Sequence, residues 1–177
     1  MNPIVHGELA WLVAQKLNSR RDRALVTAAG LLPDLDGLTI LVSEDAYARW
    51  HHLLTHGVIA AGVICGLLAV VANEKARVLV FALAAFHLHL VCDLAGSGAG
   101  WPIFYLVPFS EAPLAWQGGW ELASWQNSTI GMAATLLCLG CALPFGRTMV
   151  ELFSLKADAA VVKTIRARFS RVPQTPG

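Results

Sequence analysis

A chain of 177 residues is long enough for one domain and gives no reason to expect a second. Its hydrophobic fraction of 56% and charged fraction of 14%, with a mean hydropathy of +0.57, lie outside the range of soluble domains, where charged residues make up about 25%; the excess apolar surface must face lipid or a partner. A net charge of +1, with no basic stripe interleaved with aromatics, excludes the electrostatic footprint of a nucleic-acid binder.

The chain opens without a basic n-region or a small-residue cleavage site, so no removable signal peptide is expected. Residues 4–18 read as a short helix carrying His6 and Glu8. Residues 24–42 read as a helix that ends at Pro33-Asp34-Leu35-Asp36, because proline lacks the N–H an interior helical position must donate. Residues 53–72 contain no Lys, Arg, Asp or Glu and have the roughly twenty residues needed to cross a hydrocarbon core of about 30 Å. Residues 78–95 are equally apolar until His87, His89 and Asp93, and residues 128–145 form a third candidate span that stops at Pro144. The expected fold is therefore an all-α, multi-pass membrane bundle of about four to five apolar helices. Residues 1–149 would form one membrane-embedded domain, and residues 150–177 a basic cytoplasmic tail. That tail holds Lys156, Lys163, Arg166, Arg168 and Arg171 and suits either an amphipathic helix on anionic lipid or a solvated helix. Cys65, Cys92, Cys138 and Cys141 all fall in apolar runs and read as small buried hydrophobes.

Charge orients this layout. With the C-terminus cytoplasmic, every Lys and Arg except Arg49 lies inside, as the positive-inside rule demands. The connection over residues 96–127 carries Glu111 and Glu121 but no Lys or Arg. Its Trp101, Trp116, Trp120 and Trp125 suit an outer aromatic belt, and Gly96-Ser97-Gly98-Ala99-Gly100 suits a flexible turn.

The same layout brings His6, Asp34, Asp36, His51, His52, His56, His87, His89 and Asp93 to one face of the bilayer. Ionisable groups cost about 2.5–3.5 kcal/mol each at the centre of a membrane helix and are retained there for function. His89 and Asp93 are one turn apart on one helix face, which makes them the most specific pair. His52 and His56 share that spacing, whereas His87 points elsewhere and reads as a supporting residue. Asp34 and Asp36 fit either caps of a turn or ligands, one of them bridging metals or serving as base. Imidazole and carboxylate without thiolate suit a divalent metal, zinc foremost with manganese or iron as alternatives, and an open site brings the pKa of bound water to about 7.

The ordered motifs His6-Gly7, Leu32-Pro33-Asp34-Leu35-Asp36, His51-His52-Leu53-Leu54-Thr55-His56 and His89-Leu90-Val91-Cys92-Asp93, followed by glycine-rich sequence and Trp101-Pro102, resemble the YdjM-like family of bacterial inner-membrane metal-dependent hydrolases over residues 5–110. That family's third motif reads His-Arg-x-x-Thr-His-Ser, so this chain departs from it at His52 and Gly57. The resemblance implies His51 and His56 as ligands beside His6, Asp34, Asp36, His89 and Asp93, while helix spacing alone pairs His52 with His56. The family is in turn distantly similar to zinc-dependent phospholipases C and single-strand-specific nucleases, which implies hydrolysis of a phosphoester or lipid-linked substrate in the bacterial inner membrane. The alternative is a non-catalytic membrane protein in which a metal locks helices or lines a transport path.

The charge asymmetry generates a direct test. A reporter fused after Gly177 should label as cytoplasmic and one placed within residues 96–127 as external; the opposite labelling would invert the layout.

Overall fold

Short polar side chains start most of the helices, each by accepting an N–H that has no partner within the first turn. Asn2 caps α1 (Pro3–Val13) and Ser19 caps α2 (Arg20–Ala29). Pro33 prevents α2 from continuing. The chain bends by 53° into a 3-10 segment, Leu32–Leu41, and Ser43 then caps α3 (Glu44–Trp50). Two apolar helices follow, α4 (Val58–Val70) and α5 (Lys75–Gly96). After the tryptophan-rich connection, closed by an antiparallel bridge between Ile103 and Leu114, Ser124 caps α6 (Trp125–Gly140). A short 3-10 turn, Met149–Leu152, leads into α7 (Leu155–Phe169). This is the computed structural model of residues 1–98 and 100–169; Ala99 of the expected turn and Arg171 of the expected tail lie outside the described residues.

The architecture is all-helical, with α5 at its centre, packed by α1, α2 and α4, and with α6 against α1. The core is built largely of small residues, including Ala10, Ala14, Ala29, Ala61, Cys65, Ala82 and Ala85, around Phe86. Small side chains let helix backbones approach closely, which is how helices associate where lipid removes the hydrophobic drive between them. Gly30 is the sharpest case: a Cβ there would collide with Cβ of Ala10. All four cysteines are free and buried.

Only part of the expected set of spans reaches spanning length among the described residues. α5, with 22 residues, extends about 33 Å at 1.5 Å per residue, enough to cross a bilayer core. α2 and the 3-10 segment would make a second, broken span if taken together. The run expected as the strongest span, residues 53–72, forms only the 13 helical residues of α4, about 20 Å. The reason is local: His51 to Gly57 are committed to non-helical turns that carry the site. α4 nevertheless turns Ile59, Val63, Leu67 and Val70 outward, at 48 to 66% exposure. This apolar stripe at helical spacing, backed by buried Ala61, Cys65 and Ala69, is surface that water would not favour.

Polar contacts join the segment after residue 149 to the helices before it. Arg23 makes two 2.6 Å hydrogen bonds to the carboxylate of Glu151, and Trp11 Nε1 donates to the same carboxylate at 3.0 Å. Asp158 accepts from the N–H and hydroxyl of Thr148, and Arg166 donates to Ala142 O and Leu143 O at the end of α6. Lys156, Lys163 and Arg168 remain exposed.

Both members of the Arg23–Glu151 pair are only 4% exposed, so Arg23→Met should strand a buried carboxylate and cost about 3–5 kcal/mol. Adding Glu151→Met should recover most of that loss, measured by denaturant unfolding in detergent.

Candidate metal centre

The site forms where α1, the Pro33 bend, the turn before α4 and the end of α5 meet, with Asp93 at its centre. Asp93 lies one turn before the end of α5 and is 2% exposed. Four imidazoles surround its carboxylate. His6 Nε2 is 3.1 Å from Oδ1; His89, His56 and His52 place Nε2 at 2.9, 3.6 and 3.8 Å from Oδ2. Although these nitrogens are close, Oδ2 has no hydrogen-bond partner among the described residues. Oδ1 receives the Ser97 hydroxyl and the α-ammonium of Met1, a cation held where the buried carboxylate demands one.

Three of the four histidines are aimed from behind. His89 Nδ1 donates to Gly30 O at 2.9 Å, His56 Nδ1 to Asp36 Oδ2 at 2.9 Å, and His52 Nδ1 to Trp101 O at 3.3 Å. Each acceptor lacks a proton, so Nδ1 carries one, and in the neutral ring Nε2 then turns a lone pair toward Asp93. This is the arrangement that metal-ligating histidines adopt. The Nε2 atoms of His56 and His89 are 3.2 Å apart, close to the roughly 3.3 Å separating two nitrogens bound tetrahedrally at about 2.0–2.1 Å from one zinc.

Two donor sets result, each with its ligand atoms within 4.8 Å of one another: His6, Asp34, His89 and Asp93; and His52, His56 and Asp93. His51, expected as a ligand through the resemblance, joins neither. Its Nδ1 donates to Asp36 Oδ1 at 2.8 Å and its ring stacks on Tyr47 at 4.6 Å. Asp36, expected as ligand and base, also joins neither: its two oxygens hold His51 and His56, and Oδ2 takes the Thr55 N–H as well. His52 stands in a donor set instead, and its backbone is left-handed, φ 66°. That conformation costs a non-glycine residue about 1–3 kcal/mol and is retained where the surroundings demand it. His87 stays apart, donating to Leu83 O and accepting from the Tyr105 hydroxyl, both at 2.8 Å. Sequence reasoning missed Ser97 and the carbonyls of Gly30 and Trp101, since main-chain acceptors leave no residue signature.

His52 and His56 precede α4 and shift in opposite directions. Burial, helped by neighbouring His56, pushes His52 down to about 4. Burial opposes charge on His56 too, but its hydrogen bond to Asp36 and the nearby carboxylates of Asp36 and Asp93 prevail and push it up to about 9. His52 is thus a neutral donor at pH 7, while His56 must lose a proton to bind a cation.

An open cavity of about 460 Å³ gives access to the cluster; its lining includes Asp34, Tyr47, His51, His52, Asp93, Trp101 and Glu121. Asp34 reaches the site from its rim, with Oδ1 3.6 Å from His89 Nε2 and Oδ2 without a hydrogen-bond partner among the described residues.

The family described as YdjM inner membrane protein matches residues 1–157. The chain belongs to that family. The match runs beyond the motif-bearing residues 5–110, through the tryptophan-rich connection and into α7, and membership in YdjM supports an inner-membrane location. Neither a curated protein nor a solved structure gives a match.

The role of Asp36 is open to a direct test. In Asp36→Asn the side-chain NH2 would face the Nδ1–H of one histidine, donor against donor. Metal affinity should fall about 10–100-fold while the chain stays folded, as read by competition titration with a chromogenic chelator.

Proposed function

We propose that the chain is a membrane-bound, metal-dependent hydrolase that cleaves a phosphoester or lipid-linked substrate with metal-activated water. The observation that supports this most is the convergence of the His52, His56 and His89 Nε2 atoms on the unpartnered Oδ2 of Asp93, beside an open cavity. The donors are imidazole and carboxylate alone, which favours zinc, with manganese or iron as alternatives. When bound, the metal supplies a hydroxide by lowering the pKa of its water to about 7.

The chain's own groups fit the remaining tasks. Asp34 lines the cavity with an unpartnered oxygen and is placed to take a proton from the attacking water. His51 also lines the cavity, its Nδ1 held by Asp36, and is suited to protonate the leaving group. The lipid-linked substrate follows from the setting: exposed Leu35, Leu38, Leu41 and Val42 crowd the 3-10 segment that carries Asp34. The reading includes several passes through the bilayer with a cytoplasmic C-terminus.

A second reading, a structural metal that locks α1, α5 and the Pro33 bend together, draws on the set His6, Asp34, His89 and Asp93. Its four ligands could close a tetrahedral shell. The set His52, His56 and Asp93 favours the enzyme, because three protein ligands leave a position for water.

His89→Ala should abolish hydrolysis of a chromogenic phosphodiester and of phospholipid in mixed micelles, while membrane insertion persists on the apolar run of α5. Chelation of the wild type should reproduce that loss, and zinc or manganese should restore activity only where His89 and Asp93 are both intact. Wild-type rates in His89→Ala would remove the support for an enzyme.

A further inference from the structure

Glu8 is a buried carboxylate that the metal centre does not use. It lies two residues beyond His6, about 200° around α1 at 3.6 residues per turn, and so faces α6. The residue is 8% exposed. Its Oε1 accepts the Thr135 hydroxyl at 2.7 Å, the only hydrogen bond to this carboxylate among the described residues. Glutamate is almost never so buried without a partner, and one neutral hydroxyl does not offset a charge taken from water. The carboxylate opens onto a cavity of about 210 Å³ between α1, α6 and the Met149–Leu152 turn. Thr135, Leu139, Thr148, Val150 and Phe153 line it, and no Lys, Arg or His does. Thr148 already donates its hydroxyl to Asp158, so Glu8 is the one charged group in a wall that is otherwise mostly apolar. Leu139 and Phe153 are 37 and 82% exposed, which leaves the cavity accessible from the apolar surface. It shares no residue with the cavity beside Asp93.

We propose that this cavity is a second binding site, for a small apolar amine whose ammonium pairs with Glu8 while its hydrocarbon body lies against Leu139, Val150 and Phe153. An apolar hollow with one placed polar group is the usual form of a small-molecule site. The ammonium supplies the opposite charge that the wall lacks, with three donors for the carboxylate. At about 30 Å³ per water-sized group, the space holds roughly seven such groups. A lipid headgroup would have to bring its phosphate against a wall with no Lys or Arg to receive it, so a free amine is the better fit. The proposal stands apart from the metal-hydrolase reading, since it uses neither the ligands nor their cavity.

The full chain, purified in an uncharged detergent, is titrated calorimetrically with cyclohexylammonium and with cyclohexanol, its neutral match in shape. The ammonium should bind once per chain and about tenfold or more tighter than the alcohol. Glu8→Gln keeps an oxygen for Thr135, so the chain should fold, yet ammonium affinity should fall about tenfold or more while the alcohol binds as before. Leu139→Trp, which fills the cavity from its open side and leaves Glu8 in place, should block both probes. Should Glu8→Gln fail to fold, Leu139→Trp and the comparison of the two probes on wild type decide. Equal affinity for the two probes, or wild-type ammonium affinity in either variant, overturns the site. A wild type without saturable binding also overturns it and leaves the Glu8–Thr135 bond as a clamp between α1 and α6. Displacement of the ammonium by phosphatidylethanolamine added to the micelles would make the occupant a lipid headgroup and overturn the assignment to a free amine.

Discussion

The buried carboxylate of Asp93 is the constraint around which the rest of the site is arranged. A carboxylate at 2% exposure on an apolar helix cannot stay ionised without compensation; Met1, Ser97 and His6 supply it at Oδ1, while Oδ2 has no hydrogen-bond partner among the described residues. Four histidines from three separate stretches close around it, and the Pro33 bend delivers a second carboxylate. Each surrounding irregularity then has a reason. The 53° bend brings Asp34 and Asp36 to the end of α5. The left-handed backbone at His52 turns that ring inward. The late start of α4 leaves room for the turns that bear His51, His52 and His56.

A second buried polar group, Arg23 with Glu151, ties α2 to the 3-10 turn that begins the C-terminal segment, with Trp11 of α1 donating to the same carboxylate. Between the two polar groups, alanines, Gly30 and Cys65 let α1, α2, α4 and α5 approach closely. That close approach also places the Gly30 carbonyl within reach of His89. Packing and the orientation of a ligand are here one feature.

Much of this was legible in the sequence, for identifiable reasons. The all-helical class followed from long apolar runs, and the proline stop from the missing N–H. His89 and Asp93 face each other because both lie on a regular helix, where a spacing of four fixes the geometry. The treatment of His51, His52 and His56 shows where such reading ends. Helix spacing paired His52 with His56, and the resemblance paired His51 with His56, yet residues 51–57 are not helical. Spacing on a regular helix therefore could not explain why His52 and His56 converge; the backbone torsion at His52 and the acceptors Asp36 and Trp101 do. Hydropathy overstated α4 in the same way: it registers an apolar run but not the polar contacts that hold the run's first residues in a turn. The buried Arg23–Glu151 pair was not legible, because an ion pair across 128 positions leaves no local pattern.

The three acceptors that orient the site histidines differ in kind. Gly30 and Trp101 contribute main-chain oxygens, and Asp36 contributes a side chain. A codon change can delete the Asp36 carboxylate but not a peptide carbonyl. The hereditary weak point of the centre is therefore narrow: beyond the ligands themselves, a single codon governs how His56 is aimed, while His89 and His52 are aimed by the course of the backbone.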